Sequence, residues 1–153
     1  MSEATLAEAS GEELEGMRTV RLSFPARAEY VALARLALAG LADIVALPPE
    51  LLADLKLALT EAVSNSVRHA YADGGGFVSV AYELSGTQLA VEVVDDGNGF
   101  DPERPPQLEG VELTEGGLGI AIIRTLADEL EIQSQPGARG SRLRFVKRLQ
   151  RAD

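Results

Sequence analysis

Apolar residues recur along the chain with two different periods. Val20, Leu22 and Phe24 alternate with Arg21 and Ser23, the two-residue repeat of a half-buried strand, and Pro25, which has no N–H for a ladder, ends it. Over residues 27–42 the period changes, and Tyr30, Leu33, Ala34, Ala37 and Leu41 fall at helical spacing among good helix formers. Pro48 and Pro49 punctuate. Leu51, Leu55, Ala58, Leu59, Ala62 and Val63 then mark one face of a second helix reaching about Tyr71. Asp73-Gly74-Gly75-Gly76 breaks that helix, because successive glycines favour turns. Phe77, Val78, Val80 and Tyr82, then Leu89, Val91, Val93 and Val94, predict two strands joined as an antiparallel hairpin across Ser85-Gly86-Thr87. Residues 101–116, rich in Pro, Glu and Gly, read as a long loop. A third helix from Leu118 to about Asp128 follows, then strands at 130–134 and 142–146. Together these elements predict an α+β fold, a two-layer α/β sandwich in which a mixed sheet is covered on one face by three helices.

Composition narrows the function. With 153 residues and 46% apolar content the chain is one domain. Residues 17–149 form it, 1–16 with five Glu and no cation read as a flexible acidic leader, and 150–153 as a tail. The absence of Cys removes disulfides, thiolate metal sites and cysteine nucleophiles, and a single His makes a zinc cluster a poor expectation, so any metal is a hard, oxygen-bound ion. Fourteen basic residues against 24 acidic ones give a net charge of -10, which argues against nucleic-acid backbone contacts. The most apolar stretch, 30–47, contains Arg35 and Asp43 and is a poor membrane span. No basic region followed by an apolar one opens the chain, so a cytoplasmic protein is expected.

Three clusters carry candidate chemistry. On the second helix Glu61 and Asn65 lie one turn apart on one face, with Asp54 and Arg68 near it. An acid stacked on an amide can hold Mg²⁺ and orient a hydroxyl, since Mg²⁺ takes oxygen ligands and keeps several waters; an ordinary solvated helix face has the same pattern. Asp95-Asp96-Gly97-Asn98-Gly99 follows directly on an apolar strand, where the glycines allow close approach of a flat ligand and the carboxylate can accept from an exocyclic amine. Asp-Gly and Asn-Gly are equally at home in a hairpin turn. Gly116-Gly117-Leu118-Gly119 opens the third helix, whose free N–H groups and positive end suit phosphate oxygens; a hinge would use the same glycines. It is neither a P-loop nor a Rossmann fingerprint.

The run from Glu61 to Tyr71 with Asn65 inside it, then Asp95-Asp96-Gly97-Asn98-Gly99, then Gly117-Leu118-Gly119-Ile120, resembles the asparagine box and two glycine boxes of the GHKL ATPases. In length and helix-first start the chain is most similar to the bacterial anti-sigma-factor serine/threonine kinases, over about residues 18–148. The resemblance implies the Bergerat ATP-binding fold, with ATP and Mg²⁺ as cofactors. It implies Asn65 as the Mg²⁺ ligand, Asp95 as acceptor for the adenine amine, and Gly97 and Gly99 as shapers of the adenine pocket. Gly117, Leu118 and Gly119 would hold phosphates, Ser141 would lie near the adenine, and Glu61 would be the general base that activates a serine hydroxyl. A homodimer is implied that sequesters a sigma factor and phosphorylates an anti-sigma-factor antagonist of the STAS type. The same boxes suit a nucleotide-dependent binding switch without kinase activity, and the loop 101–116, whose one cation is Arg104, favours it.

Two further features are open. His69, one turn beyond Asn65, suits a structural role at the helix end better than catalysis. Arg139, Arg142, Arg144, Lys147, Arg148 and Arg151 fit a solvated strand better than a docking surface for an acidic partner.

Overall fold

The computed structural model describes residues 17–72, 76–97, 117–134 and 139–149. The chain starts with β1 (Met17–Pro25), makes a 3-10 turn at Ala28–Tyr30, and enters α1 (Val31–Val45). The α1 face formed by Ala34, Leu38, Leu41 and Ala42 is buried, and Ala46, at φ 55°, ends the helix in the left-handed region. The central helix α2 (Pro49–Ala72) begins at Pro49 itself. Proline is at home at a first helical position, where its missing N–H costs nothing, and the Pro48 carbonyl accepts the first bond from Leu52 N at 3.0 Å. After α2 come β2 (Phe77–Ser85), β3 (Gln88–Asp95), α3 (Gly117–Leu126), β4 (Glu129–Gln133) and β5 (Ser141–Arg148). The expected hairpin at Ser85 is present, its turn held by Thr87 and Gln88 amides donating to Ser85 Oγ at 3.3 and 3.2 Å.

The five strands lie in the order β1-β2-β3-β5-β4. Each neighbouring pair runs antiparallel, so the expectation of a mixed sheet is corrected. The reason is topological. α3 carries the chain back so that β4 runs in the direction of β3, but β5 then folds between them, and the two like-directed strands never become neighbours.

Alternation gives the sheet two unlike faces. Val78, Val80, Tyr82, Leu84, Leu89, Val91, Val93, Leu143 and Phe145 point to the helices and are buried. Leu55, Ala58, Leu59, Ala62, Val63, Val67 and Ala70 of α2 meet them, and α1 and α3 flank α2. Tyr82 is fully buried, and its hydroxyl donates to the Ala34 carbonyl at 2.6 Å, tying β2 to α1; burial pushes the phenol well above its ordinary pKa. On the other face Arg142 Nε meets Glu92 at 2.9 Å and Arg144 meets Glu83 at 3.4 Å. Lys147 donates to the Leu126 carbonyl at 2.7 Å and Arg148 lies 3.6 Å from Glu129. Arg142 and Arg144 thus belong to the open strand face, whereas Lys147, in register with Leu143 and Phe145, lies on the helix side and reaches the end of α3.

Candidate functional site

Glu61, Asn65 and His69 succeed one another at single-turn intervals on α2, so they form one stripe along its C-terminal half. The stripe is not a solvated face. Asn65 is only 2% exposed and Glu61 is half-buried. His69 Nε2 lies 3.2 Å from Asn65 Oδ1. An amide oxygen only accepts, so the imidazole donates from Nε2. Burial lowers the His69 pKa, with Asp95 raising it and Arg68 lowering it, which favours the neutral ring.

β3 delivers Asp95 to the same region. In the pairing of β3 with β2, Asp95 stands opposite Val78, on the inner face with Val91 and Val93, and it is 4% exposed. Its neighbour Asp96 is exposed and accepts from Phe77 N at 3.1 Å, so only one acid of the pair enters the site. Across the ladder Asp95 faces Ser141, whose Oγ donates to Oδ2 at 2.5 Å, while Gly97 N donates to Oδ1 at 2.9 Å. A carboxylate offers about four lone-pair sites, so these two bonds fix it and leave room for a further donor.

Glycine is required at Gly97. A Cβ there would stand 2.6 Å from the His69 carbonyl oxygen, so the strand end lies directly against the last turns of α2. Gly140, at φ +80°, donates to the Gly97 carbonyl at 2.6 Å and closes the other side. The first turn of α3 completes the arrangement: a Cβ on Gly119 would lie 2.9 Å from Glu61 Oε1, so the amino end of that helix sits over the acid. Gly117 and Leu118 belong to the same turn, and the first turn of a helix leaves its N–H groups outside the intrahelical ladder.

Glu61, Asn65, Asp95, Gly97, Gly119 and Ser141 are therefore one constellation. Gly99, the loop 101–116 with Arg104, the leader 1–16 and the tail 150–153 lie outside the described residues. The contact of His69 with Asn65 was not anticipated, although an imidazole one turn from a candidate ligand is a readable signal. Among the described residues no group of three or more His, Asp or Glu forms a metal cluster. One amide oxygen beside one carboxylate nonetheless fits Mg²⁺, a hard ion that leaves its remaining positions to phosphates and water. A concavity of about 400 Å³ bounded by Pro48, Asp54, Asp128 and Lys147 lies at the other end of α2 and contains none of these groups.

An acid able to accept from an amine, a buried amide able to meet a cation and a helix terminus suited to phosphates, all on a two-layer α+β scaffold, are together the features of a nucleotide-binding domain. The chain belongs to the family described as the histidine kinase-like ATPase domain, which it matches over residues 24–147. Within that family it is similar to the serine-protein kinase RsbW of Bacillus velezensis, 38% identical over 127 residues, 77% of this chain and 79% of that protein. RsbW of Listeria innocua is 37% identical over 127 residues, 77% of this chain and 81% of that protein. The fold also matches the Pseudomonas aeruginosa SiaB–SiaC complex structure, with a TM-score of 0.68 and 16% identity over 95% of this chain and 98% of that one. It matches the RsbU and RsbW domains of a Mycobacterium tuberculosis protein at a TM-score of 0.62 and 22% identity, covering 88% of this chain and 33% of that longer one. The expected kinship with the GHKL ATPases and the α+β class are borne out.

Proposed function

We propose that the protein is an ATP-dependent serine-protein kinase that sequesters a sigma factor and phosphorylates a serine on a STAS-type anti-sigma-factor antagonist. The similarity to the RsbW serine-protein kinases supports this reading. The observation that carries the nucleotide part is Asp95, buried and fixed by Ser141 and the Gly97 amide at the end of α2 that also holds Asn65 and Glu61. Asp95 accepts from the adenine amine, Gly97 and Gly99 shape the space beside it, and Ser141 keeps the carboxylate oriented. Asn65 would hold Mg²⁺, which when bound would supply charge neutralisation to the phosphates. Gly117, Leu118 and Gly119 present amides to phosphate oxygens.

Glu61 takes the proton of the attacking serine hydroxyl as its oxygen bonds to the γ-phosphorus and the bond to the β-phosphate oxygen breaks, releasing ADP. Positioning and charge neutralisation supply most of the acceleration in such transfers. The protein works as a homodimer in the cytoplasm, and no described helix is long and apolar enough to cross a membrane.

The direct test is intact-mass spectrometry of a co-encoded candidate antagonist after incubation with the protein and ATP·Mg²⁺. One added phosphate on serine is expected, absent with Glu61→Ala. Asn65→Ala is expected to remove the Mg²⁺-dependent part of ATP affinity, and equal titrations for both proteins would exclude that role. The second reading, a binding switch without kinase activity, rests on the single cation of residues 101–116. ATP binding by calorimetry without any phosphate transfer would select it.

A further inference from the structure

Asn65 has two nearly isosteric ends, an oxygen and an NH₂ group, and only the oxygen can ligate a cation. On a helix flank nothing intrinsic to the residue decides which end faces where. His69 Nε2, 3.2 Å from Oδ1, supplies that decision when the ring carries its proton on Nε2, because a flipped amide would then set donor against donor. The oxygen keeps a second lone pair for a metal. The His69 backbone is itself held in place. It sits one turn further along a helix whose end is pressed by the Gly97 backbone, where a Cβ would come 2.6 Å from the His69 carbonyl oxygen. The backbone that carries the imidazole is therefore packed directly against the strand end carrying Asp95.

We infer that His69 is the positioning residue for Asn65, fixing the buried amide by a bond from Nε2 so that its oxygen is committed to the divalent cation, and thereby tuning metal affinity rather than base recognition. The inference rests on Asn65 being the Mg²⁺ ligand. Groups that orient a ligating side chain contribute 10- to 100-fold to metal affinity when removed, so an effect of about tenfold is expected.

The experiment is calorimetric titration with ATP, in Mg²⁺ and in EDTA, of the wild-type chain and of His69→Leu, His69→Gln and Asn65→Ala. The quantity read is the ratio of the two affinities, which a general loss of structure does not change selectively. His69→Leu is expected to lower that ratio about tenfold while the affinity in EDTA stays within about twofold, and His69→Gln, which keeps a donor at similar reach, to restore it. Equal loss with and without Mg²⁺, or no loss, would overturn the inference. If Asn65→Ala leaves the ratio intact, the assignment of the metal ligand falls and this inference with it. If Asn65→Ala abolishes the ratio but His69→Leu does not change it, only the inference about His69 falls. Should His69→Leu fail to fold, His69→Gln against the shorter His69→Asn decides, and identical ratios for the two would overturn it.

Discussion

Two carboxylates three residues apart on β3 have opposite fates. Glu92 points to the open face, and Arg142 donates to it from Nε at 2.9 Å. Asp95 points to the helices and is met by a serine hydroxyl and a backbone amide. Both partners of the ladder come from the same strand, β5, which offers guanidinium on one face and hydroxyl on the other. The wet pair is worth at most about 1 kcal/mol, so its loss is cheap and its presence says little. The inner acid is 4% exposed and, among the described residues, hydrogen-bonded only by neutral donors. A buried carboxylate needs hydrogen-bond donors, and here they come from β5 and from the backbone just beyond β3 rather than from a cation. Matching charges mark the open face, and the acid held by neutral donors is the one that the proposed function assigns to the base.

This contrast can be broken in graded ways. Asp95→Asn has the largest expected effect, a loss of about 2–3 kcal/mol in ATP affinity, near a hundredfold, with loss of discrimination against GTP. Competition binding with both nucleotides checks it, and unchanged selectivity would remove Asp95 from base recognition. Ser141→Ala leaves Asp95 Oδ2 without its short bond and is expected to weaken ATP by about 1 kcal/mol, roughly fivefold, in the same assay. Tyr82→Phe sharpens the comparison from the core: it deletes the bond to the Ala34 carbonyl and should cost about 1 kcal/mol of stability, a fall in Tm of about 3 °C, with ATP affinity retained. Glu92→Ala, on the open face, is expected to change stability by less than about 0.5 kcal/mol and ATP affinity not at all. A larger effect there would mean that the outer charges are coupled to the site.

Much of this was legible in the chain. The alternation Leu89, Val91, Val93 already points Asp95 inward and Asp96 outward, because a strand reverses side at each residue. The apolar spacing from Leu51 to Val63 fixes which flank of α2 meets the sheet, and so which flank carries Glu61 and Asn65. The burial of that flank was not legible, since it depends on α3 arriving over Glu61 from a segment more than fifty residues later. Local spacing also leaves open whether β5 enters beside β3 or beyond β4, hence the expectation of a mixed sheet. The bond from His69 to Asn65 depends on side-chain rotamers, about which helical spacing is silent.

The pairing of Asp95 with Ser141 has a further meaning when the chain is followed as a string. Between these two residues the chain forms α3 and β4, and β4 joins the same sheet beyond β5, so the bond ties together the two ends of a long chain segment. Closing a loop of that length costs about 3 kcal/mol of chain entropy through its length-dependent part, a cost already met once β3 and β5 are zipped. Asp95 and Ser141 can therefore meet only after the segment between them has found its way back. Acid and hydroxyl together report that β3 and β5 have met, and under the proposed function a ligand resting on Asp95 would depend on that closure.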